Sequence, residues 1–168
     1  MANLLIFEDD AEIIYEHIKP AIQETAHEIV GCADSLLRAQ EYISKMLSHE
    51  IEVDVILLDG TLDPNKRPTE FRHTFPLDGT EPTKKGLFGR VKAPQPREVV
   101  LAHEYGLGRG RDARIIKKIL EVCEIEVPII GISGDSMEEI GVEVDIDLGK
   151  WGLRNQGLLT AIESLTDR

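Results

Sequence analysis

Val53-Asp54-Val55-Ile56-Leu57-Leu58-Asp59-Gly60 is the stretch on which the fold turns. Its apolar run is short, nearly continuous, and closed by an acid and a glycine. A strand covered on both faces has this pattern, whereas a strand with one wet face alternates. The spacing predicts a strand over 53–58. Upstream, residues 3–7 repeat the pattern and end at Glu8-Asp9-Asp10, and 28–33 form another strand candidate. Residues 12–25 carry apolar side chains at 13, 14, 18, 21 and 22, the spacing of a helix packed on one face. Pro20 predicts a kink there, or the start of its last turns. A second helix is predicted over 35–47, with Asp34 or Ser35 as its cap. Continuous apolar strands alternating with amphipathic helices indicate a parallel sheet covered on both faces.

Past Asp59 the rhythm breaks. Residues 60–110 hold prolines at 64, 68, 76, 82, 94 and 96 and glycines at 60, 79, 86, 89, 106, 108 and 110. A structureless loop of this length is unusual in a compact domain, so a partly ordered insertion is expected. Residues 86–92 and 97–103 are its strand or hairpin candidates. The rhythm resumes with a helix over 112–123 and a strand over 127–132. Residues 136–140 have room for a single turn, 142–148 form the last strand, and 156–165 the closing helix. The expected organisation is one domain, 1–168, with the insertion at about 60–110.

Composition narrows the function classes. The 168 residues include 31 acids and 19 basic residues, for a net charge of -12. Residues 1–58 carry 12 acids and 3 bases, and 119–168 carry 11 acids and 3 bases. The intervening 59–118 carry 8 acids and 13 bases. General electrostatic binding to nucleic acid is disfavoured by this total. Cys32 and Cys123 lie in apolar runs and read as free thiols of a reducing compartment. No apolar run reaches the length of a membrane span, and no basic leader precedes Leu4, so the cytoplasm is the expected location. The histidines, at 17, 27, 49, 73 and 103, have no metal-ligand spacing. Trp151 is expected to pack against the body of the protein.

In open α/β sheets, ligands bind beyond the carboxyl ends of the strands. That rule selects Glu8 and Asp9 after the first strand and Asp59 after the third. It also selects Ser133 after the fourth and Lys150 just after the fifth. Three carboxylates, a hydroxyl and an ammonium group then converge on one crevice.

This ordered set resembles the receiver domain of bacterial two-component response regulators. The resemblance rests on Leu4 to Asp10, Val53 to Asp59, and Val127-Pro128-Ile129-Ile130-Gly131-Ile132-Ser133-Gly134, followed by Lys150. It covers about two-thirds of the chain. It implies a flavodoxin-like, doubly wound, five-stranded parallel sheet of order 2-1-3-4-5. It also implies that Asp59 is the phosphoacceptor. Glu8, Asp9, Asp59 and the backbone carbonyl of Thr61 would hold Mg2+. Ser133 would be the switch hydroxyl, given room to move by Gly134, and Lys150 the partner of the phosphoryl group. The implied donor is a sensor histidine kinase or phosphotransfer protein, and the implied output is a downstream protein. Catalysis would amount at most to self-phosphorylation from small donors and autodephosphorylation. With no linker or DNA-binding helix pair before Arg168, a stand-alone regulator is expected.

The chain departs from the family pattern at four places. Asp59 and Ser133 are 74 positions apart. The interval from Ser133 to Lys150 is short. Trp151 stands where proline usually follows the lysine, and Asp147 and Leu148 stand where an aromatic switch residue is usual. Two alternatives stay open. One is a pseudo-receiver, a protein-interaction module without efficient phosphorylation. The other is a haloacid-dehalogenase-like phosphatase, suggested by Asp59-Gly60-Thr61-Leu62, although Leu57 then occupies the nucleophile's position.

Overall fold

The computed structural model describes residues 1–63, 72–75, 97–100, 108–154 and 157–167, the backbone alone over 72–75 and 97–100. Five strands form one parallel sheet: β1 (Asn3–Phe7), β2 (Glu28–Ala33), β3 (Val55–Leu58), β6 (Ile129–Gly131) and β7 (Ile146–Asp147), in the order β2-β1-β3-β6-β7. Counted without the intervening hairpin, this is the order 2-1-3-4-5 of the flavodoxin-like fold. β4 (Arg72–Phe75) and β5 (Arg97–Val100) pair antiparallel as a separate two-stranded sheet. Part of the expected 97–103 strand is therefore present, with 72–75 as its partner. Residues 86–92 and 101–103 lie outside the described residues.

Period-two alternation sorts the strand side chains onto two faces. Leu5, Phe7, Ile56, Leu58 and Ile129 point into a core made with α2 (Leu36–Leu47) and α3 (Arg111–Val122). Leu4, Ile6, Val55, Leu57, Ile130 and Ile132 point the other way. There they meet Ile13, Ile18, Ile22, Leu153, Leu158 and Ile162 from the amino-terminal helical segment, α4 (Gly149–Arg154) and α5 (Gly157–Thr166). Both faces are covered, which is why the strands read as unbroken apolar runs.

Several elements differ from the sequence reading. The amino-terminal helix is wound as a π-helix over Ile13–Ile18 and continues as α1 (Lys19–Gln23). Pro20 falls at the start of α1, where the π-helical turns give way to α winding. β3 begins at Val55 because Asp54 is used otherwise. Its carboxylate accepts the Asn3 N–H at 2.7 Å, and its own N–H bonds the Asn3 carbonyl. The last strand is confined to Ile146–Asp147, since Val142 instead closes a turn onto the Met137 carbonyl. α4 was not expected at all. It buries Leu153 and leaves Trp151 78% exposed, which corrects the expectation that Trp151 packs against the body. Side chains two apart on a helix do not share a face, so burying Leu153 turns Trp151 outward. α2 follows expectation, with Ser35 as cap accepting the Arg38 N–H. No described helix is long and apolar enough to cross a membrane.

Candidate functional site

Parallel pairing brings the carboxyl ends of the strands to one edge. Phe7 pairs with Leu58 and Leu58 with Gly131, so Glu8, Asp59 and Ile132 are each the next residue out. The ladder extends one step beyond the strands: the Asp59 N–H bonds the Phe7 carbonyl and the Ile132 N–H bonds the Leu58 carbonyl. Lys150 is held by its own N–H, donated to the Ser133 carbonyl at 3.2 Å.

Glu8, Asp9 and Asp59 each offer a carboxylate oxygen, and these oxygens lie within 4.8 Å of one another. Glu8 is fully buried, Asp59 nearly so, and Asp9 exposed. Glu8 Oε1 accepts the N–H groups of Asp9 and Asp10 at 3.1 and 3.0 Å. Glu8 Oε2 has no hydrogen-bond partner among the described residues and faces Lys150 Nζ at 3.8 Å. Burial, reinforced by the nearby Asp59 charge, pushes the Glu8 carboxyl up to about 8. Burial also raises Asp59, against the pull of Lys150, and raises Asp9. Three carboxylates held together against desolvation and mutual repulsion call for a cation. An all-oxygen donor set with one buried, unsatisfied oxygen suits Mg2+.

Ser133 is buried, and its Oγ accepts the Asp135 N–H at 3.3 Å. It lies across from the residue that follows Asp59, since a Cβ on Gly60 would come within 2.7 Å of Ser133 Oγ and 2.8 Å of Ile140 Cδ1. Glycine at 60 thus permits the close approach of the β3 and β6 ends. The structure thereby gathers all five side chains selected from the sequence at one sheet edge. Thr61 is two residues beyond Asp59, and its hydroxyl accepts the Gly110 N–H at 3.4 Å. Gly134 has nothing within 4 Å of a built Cβ, so open space surrounds it. Leu57, the nucleophile position in the phosphatase alternative, is a fully buried strand residue.

Two groupings escaped the sequence reading. Asp147 Oδ2 accepts the Met137 N–H at 2.8 Å, tying the β6–β7 loop to the last strand. Glu12, Glu16 and His17 also bring potential ligand atoms within 4.8 Å of one another on the π-helical segment. His17 therefore does have acidic neighbours at ligand distance. π winding makes this possible, because it widens each turn and moves residue i+5 toward residue i.

No family model and no curated protein sequence matches the chain. Its fold has counterparts among solved structures. One is RcsB from Salmonella enterica serovar Typhimurium, bound to promoter rprA in the presence of the phosphomimetic BeF3-. It is 12% identical, with a TM-score of 0.53 over 97% of this chain and 99% of that one. Another is the RcsB response regulator of Salmonella typhimurium, 13% identical, with a TM-score of 0.51 over 97% of this chain and 61% of that one. The fold is that of response-regulator receivers.

Proposed function

We propose that Asp59 accepts a phosphoryl group in a Mg2+-dependent reaction, from a histidine kinase or phosphotransfer protein, and that the modified chain signals through a partner protein. The observation that carries this reading is the Glu8, Asp9 and Asp59 triad, with carboxylate oxygens within 4.8 Å at the sheet edge that also presents Ser133 and Lys150. Glu8, Asp9, Asp59 and the Thr61 carbonyl would hold the ion. When bound, it supplies positive charge to phosphoryl oxygens. An Asp59 carboxylate oxygen attacks phosphorus in line. The bond from phosphorus to the donor oxygen or nitrogen breaks, its electron pair leaves with the donor, and an acyl phosphate remains. Lys150 turns from Glu8 to the new charge as a mobile point cation. Ser133 donates its hydroxyl to a phosphoryl oxygen, and its oxygen remains able to accept the Asp135 N–H.

The pseudo-receiver reading is favoured by one observation. Where the resemblance expects an aromatic switch side chain, Asp147 instead bonds the Met137 N–H, fixing a loop that switching would need to move. Intact-mass measurement after acetyl phosphate treatment separates the readings. Wild type with Mg2+ is expected to gain one phosphoryl group, labile to base, and Asp59→Asn none. No gain in wild type, together with no measurable Mg2+ affinity, leaves the interaction module. A gain that persists in Asp59→Asn moves the acceptor elsewhere.

A further inference from the structure

Asp112 is a fully buried carboxylate to which neither the sequence nor the mechanism above gives a role. It lies in the first turn of α3 and reaches across to the segment that follows Asp59. Its Oδ2 accepts the Leu62 N–H at 2.9 Å in a buried setting. Two weaker bonds flank that contact: the Ala113 N–H to the Gly60 carbonyl at 3.3 Å, and the Gly110 N–H to Thr61 Oγ1 at 3.4 Å. The start of α3 thus holds Gly60, Thr61 and Leu62 in succession, and Asp112 supplies the one charge-assisted bond of the three. Asp112 is also well placed for its own charge, because the amino end of a helix favours an anion.

We infer that Asp112 is the positioning residue for the Thr61 carbonyl, and through it for the divalent cation; this rests on the metal-dependent reading above. The peptide between Thr61 and Leu62 is trans and planar. Its N–H and C=O therefore point in opposite directions. Fixing the Leu62 N–H toward α3 turns the Thr61 carbonyl away from α3. On the preceding side, the Asp59 N–H bonds the Phe7 carbonyl at 2.9 Å, and the Gly60 carbonyl accepts the Ala113 N–H. The segment is fixed from both ends, and Thr61 has one orientation left for its carbonyl. Without Asp112, that peptide can rotate while Asp59 stays at the end of β3.

The test reads three properties of the full chain. In Asp112→Ala, the Leu62 amide is expected to lose its protection from hydrogen exchange, and Mg2+ affinity to fall about tenfold or more, as when an outer-shell partner of a metal ligand is removed. Phosphoryl transfer from acetyl phosphate should need correspondingly more Mg2+ for half-maximal rate, with the rate at saturating Mg2+ close to wild type. Asp112→Asn keeps an acceptor and should restore Leu62 protection and most of the affinity. Asp112→Ser suits a first helical turn but is too short to reach Leu62, and it replaces the alanine variant if that fails to fold. A folded Asp112→Ala or Asp112→Ser protein with wild-type Mg2+ affinity overturns the inference alone. So does loss of affinity with the Leu62 amide still protected. A wild-type chain that takes up no Mg2+ overturns the proposed function, and the inference with it.

Discussion

At Glu8 a single side chain combines full burial with a position beside two other carboxylates, and its raised pKa makes its behaviour with pH a direct test. A carboxyl held at about 8 instead of its ordinary 4.5 keeps its proton in the folded chain over a range where the unfolded chain has lost it. The folded state then binds more protons, so this contribution to stability is full below pH 4.5 and is lost as pH rises through about 8. Mg2+ competes with that proton. Its apparent affinity should rise about tenfold per pH unit up to about pH 8 and then level off, which titration calorimetry between about pH 6 and 9 would reveal. An affinity flat across that range would mean that Glu8 is ionised without metal. Gly60 carries a steric counterpart. Gly60→Ala places a methyl group 2.7 Å from Ser133 Oγ and 2.8 Å from Ile140 Cδ1. Denaturant unfolding should register a loss of about 1–3 kcal/mol, the usual cost of overpacking. Gly134→Ala, with nothing within 4 Å, is the control and should stay within about 0.5 kcal/mol of wild type.

Among the elements, α3 depends on a glycine for a different reason. Gly110, its cap residue, has φ +79°, and a Cβ there would meet Ile140 Cβ at 2.5 Å. Gly110→Ala therefore carries both backbone strain and a clash, about 1–3 kcal/mol in denaturant unfolding. It should also weaken Mg2+ binding, because the Gly110 N–H holds Thr61. This dependence shows which parts of the fold the sequence makes legible. The strands and their order of chemistry were readable because a two-sided parallel strand leaves an unbroken apolar run and its ligands sit just beyond the carboxyl end. Glu8, Asp9, Asp59, Ser133 and Lys150 all follow from those two facts. Asp112 did not, since an acid in a first helical turn already has a sufficient local explanation in the helix dipole. Ile14, Ile18, Ala21 and Ile22 satisfy α-helical spacing by themselves, so the five-residue step from Ile13 to Ile18, which π winding brings onto one face, did not stand out in the pattern. α4 was missed because six residues with two glycines, Gly149-Lys150-Trp151-Gly152-Leu153-Arg154, have poor intrinsic helix propensity. Packing of Leu153 into the core overrides that propensity.

For the molecule as a whole, the site is a junction of four strand ends, from Glu8 to Lys150, and its repulsion works against the entire sheet. Desolvation raises all three carboxyls, and Asp9 and Asp59 add to the unfavourable field at Glu8. The resting protein is then less stable than its core alone would make it, as expected where stability is given up for function. Removing one of those charges should reverse the effect. Asp59→Asn keeps the shape of the side chain while deleting the charge. Without metal, and above about pH 8 where Glu8 has lost its proton, its melting temperature should exceed that of wild type, by the equivalent of about 1–2 kcal/mol. Adding Mg2+ should then invert the order. Wild type gains RT ln(1 + [Mg2+]/Kd), about 2.7 kcal/mol at a hundred times Kd, whereas the variant, with one ligand fewer, gains much less. Trp151 provides a second readout in the same samples. It is the single tryptophan of the chain, exposed and adjacent to Lys150, so its emission should respond to Mg2+ in wild type more than in Asp59→Asn. Equal melting temperatures for the two proteins in the absence of metal would mean that the three carboxyls do not repel one another in the folded chain.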